Sequence, residues 1–135
     1  MNLNQSFQNH CKKNNLEINP NQLNLINQLN NFYNLNFNKS FLKKIFSKDS
    51  SKPGFYLYGD VGVGKTMVLN FFFDQVGESK LRNHFNEFML NFHDFFHERK
   101  EKNEENIINQ FVKNLKSKAS LVYFDEFQVT NIVDA

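Results

Sequence analysis

Apolar side chains recur along this chain in two patterns. From Pro20 onward, Leu23, Ile26, Leu29 and Tyr33 follow at helical spacing among asparagines, and Leu25 and Phe32 widen the stripe. Asn19 can cap that helix with its side-chain oxygen. Pro20 suits the first helical position, where the missing N–H has no intrahelical acceptor anyway. Phe41, Leu42, Ile45 and Phe46 suit a second, short helix, and Ser47 to Gly54 is a loop by composition. The pattern then changes. Phe55-Tyr56-Leu57-Tyr58 is a continuous apolar and aromatic run, with the length and bulk of a strand buried on both faces.

Gly59 breaks that run, and a helix is expected after Gly64. Val68, Phe72 and Val76 form one row, Leu69 and Phe73 the next, and Gly77 offers a stop. Leu81 to Phe85 reads as a short strand. Phe88, Phe92 and Phe95 mark a helix that becomes highly charged after His97. Ile107, Ile108, Phe111, Val112 and Leu115 mark another. Leu121-Val122-Tyr123-Phe124 is a second strand of buried type, ending in Asp125-Glu126. Strands alternating with helices predict an α/β fold, a parallel sheet flanked by helices.

Composition narrows the class. A chain of 135 residues holds one domain at most. Its net charge of +2 has no dominant block, so it gives no argument for nucleic acid or a membrane surface. Lys12-Lys13 and Lys43-Lys44 are scattered pairs, too few for a nucleic-acid patch. The single cysteine, Cys11, excludes an internal disulfide and fits a reducing compartment. The N-terminal residues contain no apolar signal region. The first arginine is Arg82, which counts against an Arg-rich presequence, and no apolar run is long enough to cross a bilayer. The abundant asparagine accompanies lysine, phenylalanine and isoleucine, all with AT-rich codons. It reads as compositional bias rather than a prion-like tract.

The chemistry concentrates at Gly59-Asp60-Val61-Gly62-Val63-Gly64-Lys65-Thr66, a G-x-x-x-x-G-K-T loop between a predicted strand and a predicted helix. At average residue frequencies this pattern arises in roughly 0.5% of chains this long. The residue types suit a triphosphate. Gly59, Gly62 and Gly64 let the backbone curl so that successive N–H groups point inward, and a helix start favours anions. Lys65 supplies a point charge for the β- and γ-phosphates, and Thr66 a hydroxyl for Mg²⁺. Asp60, Val61 and Val63 contribute mainly backbone. These features predict an ATP and Mg²⁺ site, a Walker A loop.

Leu121 to Glu126 has the form of a Walker B strand. Asp125 is placed to hold Mg²⁺, through water, and Glu126 to polarise the attacking water as general base. Both Gly59 and Asp125 follow predicted strand ends, where α/β sheets bind ligands. Residues 1–50 are expected to be an N-terminal helical segment, and residues 51–135 the P-loop core. His93 and His97 have a spacing that can hold a metal. No HExxH motif or third ligand accompanies them, and they read as surface or packing histidines.

Three blocks resemble one family. Gly54 to Met67 (GFYLYGDVGVGKTM) resembles the P-loop of the ZapE family, bacterial cell-division ATPases of the AAA+ superfamily with mitochondrial relatives. Lys80 to Met89 (KLRNHFNEFM), followed by His93, is similar to that family's K-x-R-x-H-F-x-x-F-M segment. Phe124 to Ala135 (FDEFQVTNIVDA) is similar to its extended Walker B, F-D-E-F-x-V-[ST]-D-I-x-D-A. Asn70 and Asn131 stand where the family usually has Asp. The resemblance implies hydrolysis of ATP to ADP and phosphate, coupled to remodelling of a protein partner, the division protein FtsZ. It also implies a cytoplasmic setting, or the mitochondrial matrix for a eukaryotic homologue, and a homo-oligomeric ring among the assemblies such proteins use.

Family members continue well beyond the Walker B block, through sensor 1, an arginine finger and a lid. AAA+ sheets place a later strand between the P-loop strand and the Walker B strand. The chain is therefore expected to be a partial sequence, with a gap in its sheet. A nucleotide-binding module without turnover is one alternative, and a helicase loader or kinase another. A DNA loader needs a basic single-strand groove, and a kinase needs a substrate lid. No residues mark either.

Overall fold

The computed structural model describes residues 2–37, 54–59, 64–99 and 103–127. The chain divides into two compact units, residues 1–75 and residues 76–135.

The first unit is helical. Helix α1 (Leu3–Lys13) is capped by Asn2, whose side chain accepts from the Gln5 N–H at 3.2 Å. His10, Lys12 and Lys13 in its last turn complement the helix dipole. Leu3, Phe7 and Cys11, four residues apart, form its fully buried stripe. Helix α2 (Pro20–Asn36) starts as its sequence predicts. The Asn19 side chain accepts from the Asn21 N–H at 2.8 Å, and Gln22 Oε1 accepts from the Asn19 N–H at 3.3 Å, closing a capping box. Leu25, Ile26, Leu29 and Tyr33 form its buried face.

Helix α3 (Lys65–Gln75) buries Val68, Phe71 and Phe72. Phe71 meets Phe7 edge-to-face at 5.1 Å, which locks α1 against α3. The expected short helix at Phe41–Phe46 and the loop at residues 47–53 lie outside the described residues.

The second unit carries the sheet. Strand β1 (Lys80–His84) leads into helix α4 (Phe85–His97), helix α5 (Glu104–Lys118) and strand β2 (Leu121–Asp125). β1 and β2 pair in parallel, from Lys80 opposite Leu121 to His84 opposite Asp125. At the strands' start, the Ser120 N–H donates to the Ser79 carbonyl at 2.8 Å and fixes that register. An aromatic column joins sheet and helices. Phe124 packs on Phe88 at 4.6 Å, and Phe111 meets Phe88, Phe92 and Phe95 at 5.5, 5.1 and 5.1 Å. Glu104 and Glu105 begin α5, and Lys116 and Lys118 end it, each matching the helix dipole. The architecture is α/β with a parallel sheet flanked by helices.

One expected strand is not formed. Phe55–Tyr58 lies in no strand, and among the described residues the sheet holds β1 and β2. The run still alternates, with Phe55 and Leu57 half-buried and Tyr56 and Tyr58 exposed. Phe55 packs on Phe32 of α2 at 6.0 Å. An apolar run records a demand for burial, whereas a strand also requires a neighbour for its backbone. Here Phe55 finds a helix to pack on, and only every second side chain of the run is half-buried.

Candidate functional site

The G-x-x-x-x-G-K-T motif belongs to the first unit. Gly59 has φ +143° and Gly64 φ +77°, conformations that side chains resist and glycine accepts. Lys65 is the first residue of α3, and its Nζ donates to the Gly59 carbonyl at 2.8 Å. The two ends of the motif are thereby tied together. Helical bonding starts at Gly64, whose carbonyl accepts from the Val68 N–H at 3.1 Å. The first N–H groups of a helix have no intrahelical acceptor, so this end favours an anion. Thr66 lies exposed in the first turn. Asp60, Val61, Gly62 and Val63 lie outside the described residues.

Gln22 is a neighbour that sequence reasoning missed. A Cβ added at Gly64 would stand 2.4 Å from Gln22 Nε2. The signal was available. Gln22 follows Asn19 by three, the spacing of a capping box, and that box fixes the amide beside the loop.

The acidic residues belong to the second unit. Asp125 ends β2. Glu126 follows with φ +52°, a left-handed conformation uncommon for a residue with a side chain. Pairing sets one face of the ladder. Arg82 stands opposite Tyr123 and His84 opposite Asp125, so these four side chains share a face. Phe124 projects to the other face, against α4. Arg82 Nη2 donates to Asp125 Oδ2 at 2.5 Å, and the guanidinium lies 5.0 Å from the Tyr123 ring centroid. The hydrogen bond from Arg82 is the main cause holding the Asp125 carboxyl below the usual aspartate range, against the opposing effect of its partial burial. Burial, then the Asp125 charge, pushes the Tyr123 hydroxyl up. Sequence reasoning counted Tyr123 as one apolar residue among four and gave Arg82 no partner, because neither carries a mark of strand register.

The donors suit the chemistry expected of them. Thr66 offers a hydroxyl and Asp125 a carboxylate, the oxygen ligands that Mg²⁺ takes. The loop's conformation at Gly59 and Gly64 demands glycine, as a backbone cradle for phosphate would. His93 and His97 lie in α4, each beside a phenylalanine ring, Phe92 and Phe96. Among the described residues no three His, Cys, Asp or Glu side chains gather in a way that could hold a metal. No helix among them is long and apolar enough to cross a membrane.

A family model described as AFG1-like ATPase matches residues 1–135. The chain belongs to the AFG1-like ATPase family. Among curated proteins it is similar to lactation elevated protein 1 homolog B of Danio rerio, 37% identical over 112 residues, covering 73% of this chain and 22% of that protein. It is also similar to the cell division protein ZapE of Escherichia coli K12, 34% identical over 96 residues, covering 69% of this chain and 24% of that protein. The chain thus spans about a quarter of the length of these AFG1-like relatives. No solved structure matches it. Membership implies nucleotide binding in an ATPase family and agrees with the resemblance carried by the three sequence blocks.

Proposed function

We propose that this chain carries the nucleotide site of an ATPase that binds ATP with Mg²⁺ and hydrolyses it. The observation that carries the reading is the bond from Lys65 to Gly59, with Gly59 and Gly64 both at positive φ, at the start of α3. A lysine that begins a helix ties back to the first glycine of the motif, and the glycines at both ends hold conformations that favour glycine, as a phosphate-binding loop requires. Gly59 to Thr66 bind the phosphates, with Lys65 on the β- and γ-phosphates. Thr66 would supply Mg²⁺ with a hydroxyl, and Asp125, by the Walker B form of its sequence, would be assigned to the ion through water; when bound, the ion would draw charge from the phosphate oxygens. Glu126 orients the attacking water and accepts its proton. Residues 51–135 supply this core, and residues 1–50 precede it as a helical segment.

In this reading hydrolysis drives conformational change in a protein partner. The similar Escherichia coli protein is named for cell division, and the sequence resemblance implies FtsZ. The compartment is then the bacterial cytoplasm, or the mitochondrial matrix in a eukaryote, and the working form a homo-oligomer.

Phosphate release by the full chain, with and without Glu126→Gln, tests the enzymatic part. Turnover that Glu126→Gln abolishes while nucleotide binding persists supports the reading. Binding without turnover in the unmutated chain confines it to a nucleotide module. An ATP-dependent effect on FtsZ polymers tests the partner, and its absence removes FtsZ from the account.

A further inference from the structure

The two ends of the Gln22 carboxamide face different neighbours. Its Oε1 accepts from the Asn19 N–H at 3.3 Å and completes the capping box of α2. Its Nε2 lies against Gly64, 2.4 Å from the place a Cβ would take there. Among the described residues nothing accepts a hydrogen bond from Nε2. Gln22, Gly64 and Lys65 are each half-buried and belong to one compact unit. Gly64 is where helical bonding of α3 begins, and the first N–H groups of a helix have no intrahelical acceptor. A side-chain donor therefore stands beside an end of a helix that favours an anion.

The choice of residue agrees with that place. A capping box takes glutamate as readily as glutamine, and the helix dipole favours the acid. Here the neutral residue is used, and the first turns of α2 and α3 hold no acidic side chain. The amide keeps the capping acceptor, adds a donor and brings no negative charge.

We propose that Gln22 is a further nucleotide-binding residue: its Nε2, oriented by the α2 capping box and packed against Gly64, donates to a phosphate oxygen of the bound nucleotide. This rests on the reading of Gly59 to Thr66 as the nucleotide site. The bond from Oε1 to Asn19 holds the carboxamide before the ligand arrives, so less rotamer freedom is lost on binding. The N-terminal helical segment thereby supplies a ligand contact to the core that follows it.

The test is calorimetric titration of the full chain with Mg·ATP and, separately, with inorganic tripolyphosphate and Mg²⁺. It compares the unmutated protein, Gln22→Ala and Gln22→Glu, with the thermal midpoint measured on each. Gln22→Glu keeps the capping acceptor but replaces the donor with a negative charge, so it separates the cap from the ligand contact. The expected result is affinity for both ligands about tenfold lower in Gln22→Ala, the loss of one hydrogen bond to a charged group. Gln22→Glu should lose more, with a thermal midpoint no lower than that of the unmutated chain. Unchanged affinity in Gln22→Glu overturns the inference and leaves Gln22 as a cap alone. Parallel losses of midpoint and affinity in both variants also overturn it, because the cap then accounts for them. Weakened ATP binding with tripolyphosphate unaffected, or with tripolyphosphate not bound by the unmutated chain, overturns the phosphate contact. Binding of neither ligand by the unmutated chain overturns the nucleotide site itself, and this inference with it.

Discussion

Lys65 Nζ donates to the carbonyl of Gly59 at 2.8 Å, joining the first side chain of α3 to the first glycine of the G-x-x-x-x-G-K-T motif. The two ends of the motif are thus tied together. Gly64, immediately before that lysine, holds φ +77°.

Gly64→Ala should therefore damage both fold and binding. A left-handed conformation costs a side chain roughly 1–2 kcal/mol. The new Cβ also displaces the Gln22 amide, which forms half of the α2 capping box. Urea unfolding should show the loss, and in a Gln22→Ala background, where the amide and its cap are already gone, Gly64→Ala should cost less but still carry the left-handed penalty. No cost in that background would mean that backbone strain at Gly64 is negligible.

Glu126 makes a sharper separation. Its φ of +52° sits beside its proposed catalytic role. Strain of this kind gathers at functional sites. Glu126→Gly relieves it and should raise stability by up to about 1 kcal/mol, while phosphate release is lost. A destabilised Glu126→Gly would show that the carboxylate serves the fold instead.

The Arg82–Asp125 pair predicts a pH dependence. The Asp125 pKa is lowered in the fold, chiefly by the hydrogen bond from Arg82. Its contribution is therefore present above the unfolded aspartate pKa, about 3.9, and lost as pH falls through the lower folded value. The Arg82 side chain is 40% exposed, so solvent screening holds the pair to at most about 1 kcal/mol. The stability difference between the unmutated chain and Arg82→Ala should be constant near neutrality and shrink on acidification below about pH 4. A difference that grows there would contradict the pairing.

Phe7 tests the part of the core that periodicity did not reveal. It is fully buried and meets Phe71 edge-to-face. Phe7→Ala should cost about 3–5 kcal/mol. A loss below about 1 kcal/mol, measured by urea unfolding, would show that α1 adds little to the first unit.

These residues also show what a sequence can carry. Asn19, Pro20 and the stripe through Tyr33 define α2 because capping and helical spacing are local properties. Leu3, Phe7 and Cys11 had the same spacing, but dense polar asparagine and glutamine hide their apolar stripe. Phe55 to Tyr58 predicts a strand and forms none, since a pairing partner is not a local property. Gly59 to Thr66 and Asp125-Glu126 stand out in the sequence because the phosphate and Mg²⁺ chemistry proposed for them demands particular residue types at fixed spacing. Arg82 and Tyr123 are not, because their meeting with Asp125 depends on a parallel register that no single segment encodes.

The central claim is that Gly59 to Thr66 bind ATP with Mg²⁺. Calorimetric titration of Mg·ATP into the full chain, unmutated and as Lys65→Ala, tests it most directly. The account predicts saturable binding by the unmutated chain. Removing the lysine's charged contact should weaken it about tenfold to a hundredfold. Equal affinity in the two proteins, or no binding by the unmutated one, would contradict it.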